Sequence, residues 1–213
     1  MSSRRQNPYR GADARTRAAK AAGFPARSVF KLEEIDRRIG LLRAGMRVLD
    51  LGAAPGSWSL YASQRLGHGG KLVSVDLAPL TVALGPHAEV LEADAFAPET
   101  AAELARRGPF DVVLSDMAPS TSGDRFTDQT RSFDLFCRAL ELAVSLLRPG
   151  GAFVGKIFMG GDFDAARAKV RAAFDGVRVI RPEATRQHSY EIFLVGTGFC
   201  PRPAPEPAEP APA

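Results

Sequence analysis

Short apolar runs alternate with stretches whose apolar residues recur every three or four positions, and the alternation continues through most of the chain. Met46–Leu51 (MRVLDL) is an apolar run that stops at the turn GAAPGS, and Trp58–Leu66 follows with helical character. Lys71–Asp76 (KLVSVD), Ala88–Glu92 and Phe110–Ser115 (FDVVLS) are further strand candidates, with a helix over Thr100–Arg107 between the last two. Across Asp128–Leu147, residues Phe133, Phe136, Leu140, Ala143, Val144 and Leu147 have amphipathic-helix spacing, and Pro149-Gly150-Gly151 is expected to end that helix. A fifth strand over Ala152–Phe158 (AFVGKIF), a helix over Asp164–Phe174 and strands at Val177–Ile180 and Ile192–Val195 complete the order. Repeated strand–helix units predict a mainly parallel sheet with helices on both faces. The roughly ten residues between the last two strands are too few for a parallel crossover, so that pair is predicted to be antiparallel.

The ends of the chain break this pattern. Pro201–Ala213 (PRPAPEPAEPAPA) contains six prolines, which remove backbone donors and fix φ, so an extended tail outside the core is expected. The first ten residues, MSSRRQNPYR, also carry no anchoring apolar pattern. The 213 residues, 45% hydrophobic and 24% charged, fit one globular domain and exclude disorder of the whole chain. No apolar run reaches the roughly 20 residues that span a bilayer, and no apolar signal segment opens the sequence. Cys137 and Cys200 form no CxxC pair, which excludes a disulfide framework or thiolate zinc site and suits a reducing cytoplasm. His68, His87 and His188 lack ligand spacing, so no metal site is expected.

Charge is unevenly spread. The net charge is +4, but residues 1–38 hold ten Lys and Arg against four Asp and Glu, a net +6, leaving −2 for the other 175 residues. A basic arm on a nearly neutral body fits a phosphate-binding surface and equally fits a solvated leader.

Candidate chemistry collects where strands end, the usual place for ligands in an open α/β sheet. After the first strand, Asp50-Leu51-Gly52-Ala53-Ala54-Pro55-Gly56-Ser57-Trp58 offers small residues and a helix start, but neither GxGxxG nor GxxxxGK[ST]. Asp76 ends the second strand and can accept hydrogen bonds from ribose hydroxyls; Asp94 follows the third, near where an adenine amino group would lie. Each alone fits a tight turn or a cap. Together they point to a cofactor containing a nucleoside. Asp116 follows the fourth strand, Lys156 interrupts the apolar fifth, and Glu191 opens the last. Lys31, on the KLEEID helix, joins this charged set if that helix packs over the strand ends. Tyr9, Phe24 and Tyr190 fit base stacking or, more commonly, core and edge packing. Thr121–Gly123 and Gly160–Gly161 are loops expected beside the charged set.

Five segments in order resemble the FtsJ/RlmE family of ribosomal RNA ribose 2′-O-methyltransferases, which use S-adenosyl-L-methionine. They are RSVFKLEEID (Arg27–Asp36), VLDLGAAPGSWS (Val48–Ser59), LSDMAPSTSG (Leu114–Gly123), GGAFVGKIFMGGDFD (Gly150–Asp164) and HSYEIFLV (His188–Val195). The resemblance covers roughly Arg15 to Gly198. It implies a Rossmann-like α/β methyltransferase fold with a mostly parallel seven-stranded sheet, an antiparallel last strand and helices on both faces. The implied organisation is a basic arm over residues 1–26, a methyltransferase domain over 27–199 and a Pro-rich tail over 200–213. The family's Lys-Asp-Lys-Glu tetrad falls on Lys31, Asp116, Lys156 and Glu191, and its cofactor positions on Gly56, Trp58, Asp76, Asp94 and Asp116. Ser57 stands where many relatives have a second glycine, and Phe30 is a further departure that leaves the tetrad intact.

The resemblance further implies a cytoplasmic monomer that methylates a uridine of the peptidyl-transferase A-loop in large-subunit ribosomal RNA, within the assembled or maturing subunit. The implied reaction is in-line attack of the ribose 2′-oxygen on the sulfonium methyl carbon, with Lys156 as general base. An ordinary lysine titrates near about 10.4, so that role requires desolvation by Phe153, Val154, Ile157 and Phe158, or repulsion from Lys31. Asp116 and Glu191 act in the opposite direction and are expected to orient Lys156 and the hydroxyl. In a rival account Lys156 stays charged and Asp116 takes the proton. A transfer-RNA 2′-O-methyltransferase sharing the tetrad, and a non-catalytic assembly factor on the same scaffold, are the alternatives; the intact tetrad argues against the second.

Overall fold

A computed structural model describes residues 14–185 and 189–201; Arg4, Arg5, Tyr9, Arg10, His188 and the tail beyond Pro201 lie outside the described residues. Seven strands form one sheet: β1 (Arg47–Leu51), β2 (Lys71–Asp76), β3 (Ala88–Glu92), β4 (Phe110–Ser115), β5 (Leu147–Phe158), β6 (Phe174–Ile180) and β7 (Glu191–Phe199). The spatial order is β3-β2-β1-β4-β5-β7-β6; β3 through β5 pair in parallel, and β7 runs antiparallel to both neighbours. The predicted antiparallel last pair is therefore present.

Strand side chains alternate between two buried layers. Leu49, Val113, Phe153 and Ile192 pack with α4 (Pro98–Arg107), α5 (Arg125–Leu146) and α6 (Phe163–Ala173). Val48, Leu114, Val154 and Phe193 pack with α2 (Val29–Ile39) and α3 (Ser57–Leu66). This parity matters for function, because Lys156 and Glu191 lie two residues from Val154 and Phe193. Both therefore belong to the face that α2 covers.

The differences from the sequence expectation have local causes. The helix predicted from Asp128 begins at Arg125, because Asp124 caps it by accepting a hydrogen bond from the Thr127 N–H at 2.8 Å. β5 begins at Leu147 rather than Ala152: Leu147 pairs with Phe110, and the register then shifts across the Pro149–Gly151 segment to the Val112–Ala152 pair. β7 extends to Phe199 because an inner strand is paired on both sides. Gly196, which ended the readable apolar run, makes room there for the Phe174 ring, 2.5 Å from where a Cβ would stand. An additional helix, α1 (Ala14–Ala21), lies in the basic arm; its only buried residue is Ala19, so its sequence carried no apolar stripe.

Candidate active site

Four charged side chains meet at the carboxyl end of the central strands. Lys31 comes from the first turn of α2, Asp116 follows β4, Lys156 lies near the end of β5 and Glu191 opens β7. Antiparallel pairing sets Phe158 opposite Glu191 and Lys156 opposite Phe193, which brings the two strand ends together. Lys31 Nζ lies 2.5 Å from Glu191 Oε1 and 3.9 Å from Asp116 Oδ1. Lys156 Nζ mirrors it, 3.0 Å from Asp116 Oδ1 and 3.9 Å from Glu191 Oε1. Each lysine thus contacts both carboxylates. Both are only 8% exposed, a position that costs several kcal/mol per charge unless opposite charges compensate.

Glu191 shows how strongly the cluster favours its ionised form. Burial pushes its carboxyl upward, but the charges of Lys31 and Lys156, with hydrogen bonds from Lys31 and Ser189, outweigh this and hold it below the usual carboxylate range. Asp116 differs. Its main-chain oxygen accepts a hydrogen bond from Lys156 Nζ at 2.5 Å, while its buried Oδ1 accepts none among the described residues. Oδ1 is instead enclosed between the two lysines as their shared ion-pair partner.

Asp116 also lines a cleft of about 530 Å³ with Gly52, Asp76, Asp94 and Met117, which sets the cluster at one end of a ligand-sized space. The cleft exists because the chain turns tightly after β1. Gly52 has φ +75°, and a Cβ there would stand 2.3 Å from Met117 Cγ. Asp76 ties the wall together: its Oδ2 accepts from the Ala54 N–H and its Oδ1 from the Ala78 N–H, both at 2.9 Å. Asp94 Oδ1 accepts from the Phe96 N–H at 2.9 Å. The turn role weighed for both acids is present, and both still face the cleft.

A sequence profile for FtsJ-like methyltransferases matches residues 24–199. The chain is 62% identical over 196 residues to a Sorangium cellulosum protein named ribosomal RNA large subunit methyltransferase E, covering 92% of each. The chain belongs to the FtsJ-like methyltransferase family. A Myxococcus xanthus protein of the same name is 44% identical to this FtsJ-like methyltransferase, over 95% of this chain and 94% of its own. The fold is also that of a solved Plasmodium falciparum protein named as a ribosomal RNA methyltransferase, with a TM-score of 0.73 and 21% identity over 83% of this chain and 99% of that one. A SAM-dependent O-methyltransferase from Thermotoga maritima superposes with a TM-score of 0.57 and 14% identity, over 82% and 66%.

In this FtsJ-like methyltransferase the remaining cofactor candidates lie off the cleft wall. Gly56, with φ +109°, caps the start of α3, and a Cβ there would stand 2.4 Å from Val82 Cγ2. The Trp58 side chain is core. It is 3% exposed, its Nε1–H donates to Ser28 O at 2.9 Å, and its ring centroid is 5.6 Å from that of Phe193. Trp58 therefore holds α2 against the sheet, and only its main chain is at the helix start.

Two residues with a part in the site gave little sign in sequence. Asp50, fully buried in β1, accepts from Ser59 Oγ at 2.7 Å, and Ser59 in turn accepts from Ser74 Oγ at 3.0 Å. Burial pushes its carboxyl up to about 7 against the lowering effect of the Ser59 hydrogen bond, and the charges of Asp116 and Asp76 act with burial. Asp128 accepts from the Ser122 N–H at 2.7 Å, from Ser122 Oγ at 2.9 Å and from the Gly123 N–H at 3.3 Å, which fixes the loop after Asp116 to α5. Four residues on, Ser132 Oγ accepts from the Phe158 N–H at 3.0 Å. The start of α5 therefore joins the segments that carry Asp116 and Lys156. An acid at a helix start is the only signal that could have singled out Asp128.

Proposed function

We propose that this methyltransferase transfers a methyl group from S-adenosyl-L-methionine to the 2′-hydroxyl of a uridine in the peptidyl-transferase A-loop of large-subunit ribosomal RNA. On this reading it acts as a cytoplasmic monomer on the assembled or maturing subunit. The observation that carries the reading is the lysine–carboxylate cluster sharing Asp116 with the cleft. The names of the relatives support the substrate assignment.

The cleft fits the cofactor: its volume is in the range of small-molecule sites, and it is lined by carboxylates at three strand ends. Asp76, Asp94 and Asp116 would hold the group, while Gly56 shapes the turn into α3 behind the cleft. When bound, S-adenosyl-L-methionine supplies a methyl carbon already activated by the sulfonium charge. The protein's task is then to position a poor nucleophile and remove its proton. Lys156, positioned by Asp116 and Glu191, first gives up its ammonium proton to solvent and then, as the neutral amine, takes the proton of the 2′-hydroxyl, while Lys31 keeps Glu191 ionised and in place. The basic stretch over residues 1–26 contacts RNA phosphates, and the chemistry is confined to residues 27–199.

The 3.0 Å ion pair between Lys156 Nζ and Asp116 Oδ1 favours a second reading of the proton's destination, with Asp116 as acceptor and Lys156 permanently charged. Lys156→Arg separates the two, since a guanidinium does not deprotonate: it retains transfer in the second reading and loses it in the first.

Labelled S-adenosyl-L-methionine, offered with purified unmodified large subunits and separately with transfer RNA, tests the function. The expected product is label on one uridine 2′-oxygen of the large-subunit RNA. Label on transfer RNA alone overturns the substrate, and no label on either overturns the catalytic reading.

A further inference from the structure

Aromatic and cationic side chains gather at the start of β7 and of α5, next to Glu191 of the cluster. Tyr190 precedes Glu191, and its ring meets Phe158 edge-on with centroids 5.1 Å apart. The Arg125 guanidinium covers the Tyr190 ring at 5.2 Å. Phe126, next along α5, is 77% exposed, the most exposed large hydrophobic side chain among the described residues. Met159, three residues beyond Lys156, is 42% exposed. The two exposed side chains belong to segments joined by a hydrogen bond from Gln129 Nε2 to Met159 O at 2.5 Å, and Met159 N–H donates to Tyr190 O at 2.8 Å.

A phenyl ring left in water loses apolar burial that a core position would have supplied. Phe126 is also not needed to start the helix, because Asp124 caps it and Asp128 anchors it. What these residues offer is an exposed π-face on Phe126 and, on the residue before it, a guanidinium over Tyr190, whose next neighbour along the chain is Glu191. That combination fits a partner that is anionic along its backbone and has flat aromatic groups, as an unpaired RNA strand does. A protein partner would leave Arg125 to find a carboxylate; an RNA strand meets it with phosphate and Phe126 with a base.

We infer that Phe126, with Arg125 and Tyr190, is a stacking surface for an unpaired nucleobase adjacent to the target ribose. This inference rests on the RNA-methylating reading above. It goes further in assigning these residues the work of holding the strand open beside the tetrad. Stacking of one base on an aromatic ring contributes about 1–3 kcal/mol, which corresponds to a loss of roughly 5- to 150-fold on removal.

The test is steady-state methyl transfer to unmodified large subunits by the full chain and by Phe126→Ala, Phe126→Leu and Phe126→Trp. Phe126→Ala is expected to raise KM for the subunit at least about fivefold, with kcat and S-adenosyl-L-methionine affinity near wild type. Phe126→Trp should restore KM, whereas Phe126→Leu, apolar but without a π-face, should not. An active wild type with KM for Phe126→Ala rising less than fivefold, or with Phe126→Leu equal to wild type, overturns the stacking surface alone. A wild type that labels no subunit overturns the functional reading and this inference with it.

Discussion

Lys156 directs its hydrogen bond to the main-chain oxygen of Asp116 at 2.5 Å, although the Oδ1 carboxylate oxygen of the same residue lies only 3.0 Å away. The amine is thereby held by two oxygens of one residue, one from the main chain and one from the carboxylate. A lysine fixed in this way has its direction set by the end of β4.

Glu191 gives the site an acid limit. Its carboxyl is held below its ordinary 4.5, so its ion pairs contribute fully above that pH and are lost as pH falls through the lower folded value. Urea unfolding between about pH 3 and 6 should show wild-type stability falling at the acid end, with a shallower fall in Glu191→Gln. Parallel curves for the two proteins would contradict this.

Asp50 acts in the opposite sense. Its folded value of about 7 lies above the ordinary 3.8, so between these the unfolded chain releases a proton that the folded chain retains. Stability therefore falls progressively as pH rises through that window, because the unfolded chain gains from ionising Asp50 and the folded chain does not. Asp50→Asn should gain stability relative to wild type from about pH 4 to 7, read as a growing difference in unfolding midpoint. A difference that stays constant across the window would contradict the account.

Gly52 tests the close approach that shapes the cleft. Gly52→Ala places a Cβ against Met117 at a positive φ, and is expected to cost about 1–3 kcal/mol of stability and to weaken S-adenosyl-L-methionine binding. Denaturant midpoints and equilibrium binding of the cofactor check both effects. Wild-type values in both would show that the turn tolerates the side chain.

The strands were legible because parallel strands buried on both faces read as apolar runs, and MRVLDL, KLVSVD and FDVVLS all do. Lys156 stood out because a cation inside such a run needs a reason. The Trp58 side chain was harder to read: an indole beside a Gly-rich turn has the same letters whether it faces a ligand or the core. Only the packing against Phe193 and the bond to Ser28 separate the two. Asp128 and Ser132 were hidden for another reason, since their work is to join two strand ends far apart in sequence. The stacking surface was out of reach as well, because it needs α5 and the start of β7 side by side in space.

The central claim is that Lys156 acts on the 2′-hydroxyl and not in holding the cofactor. The direct test pairs two measurements on Lys156→Ala: methyl transfer to unmodified large subunits, and equilibrium binding of S-adenosyl-L-methionine. The account predicts that transfer is abolished while cofactor affinity stays near wild type. Loss of both to the same degree, or retained transfer, would contradict it.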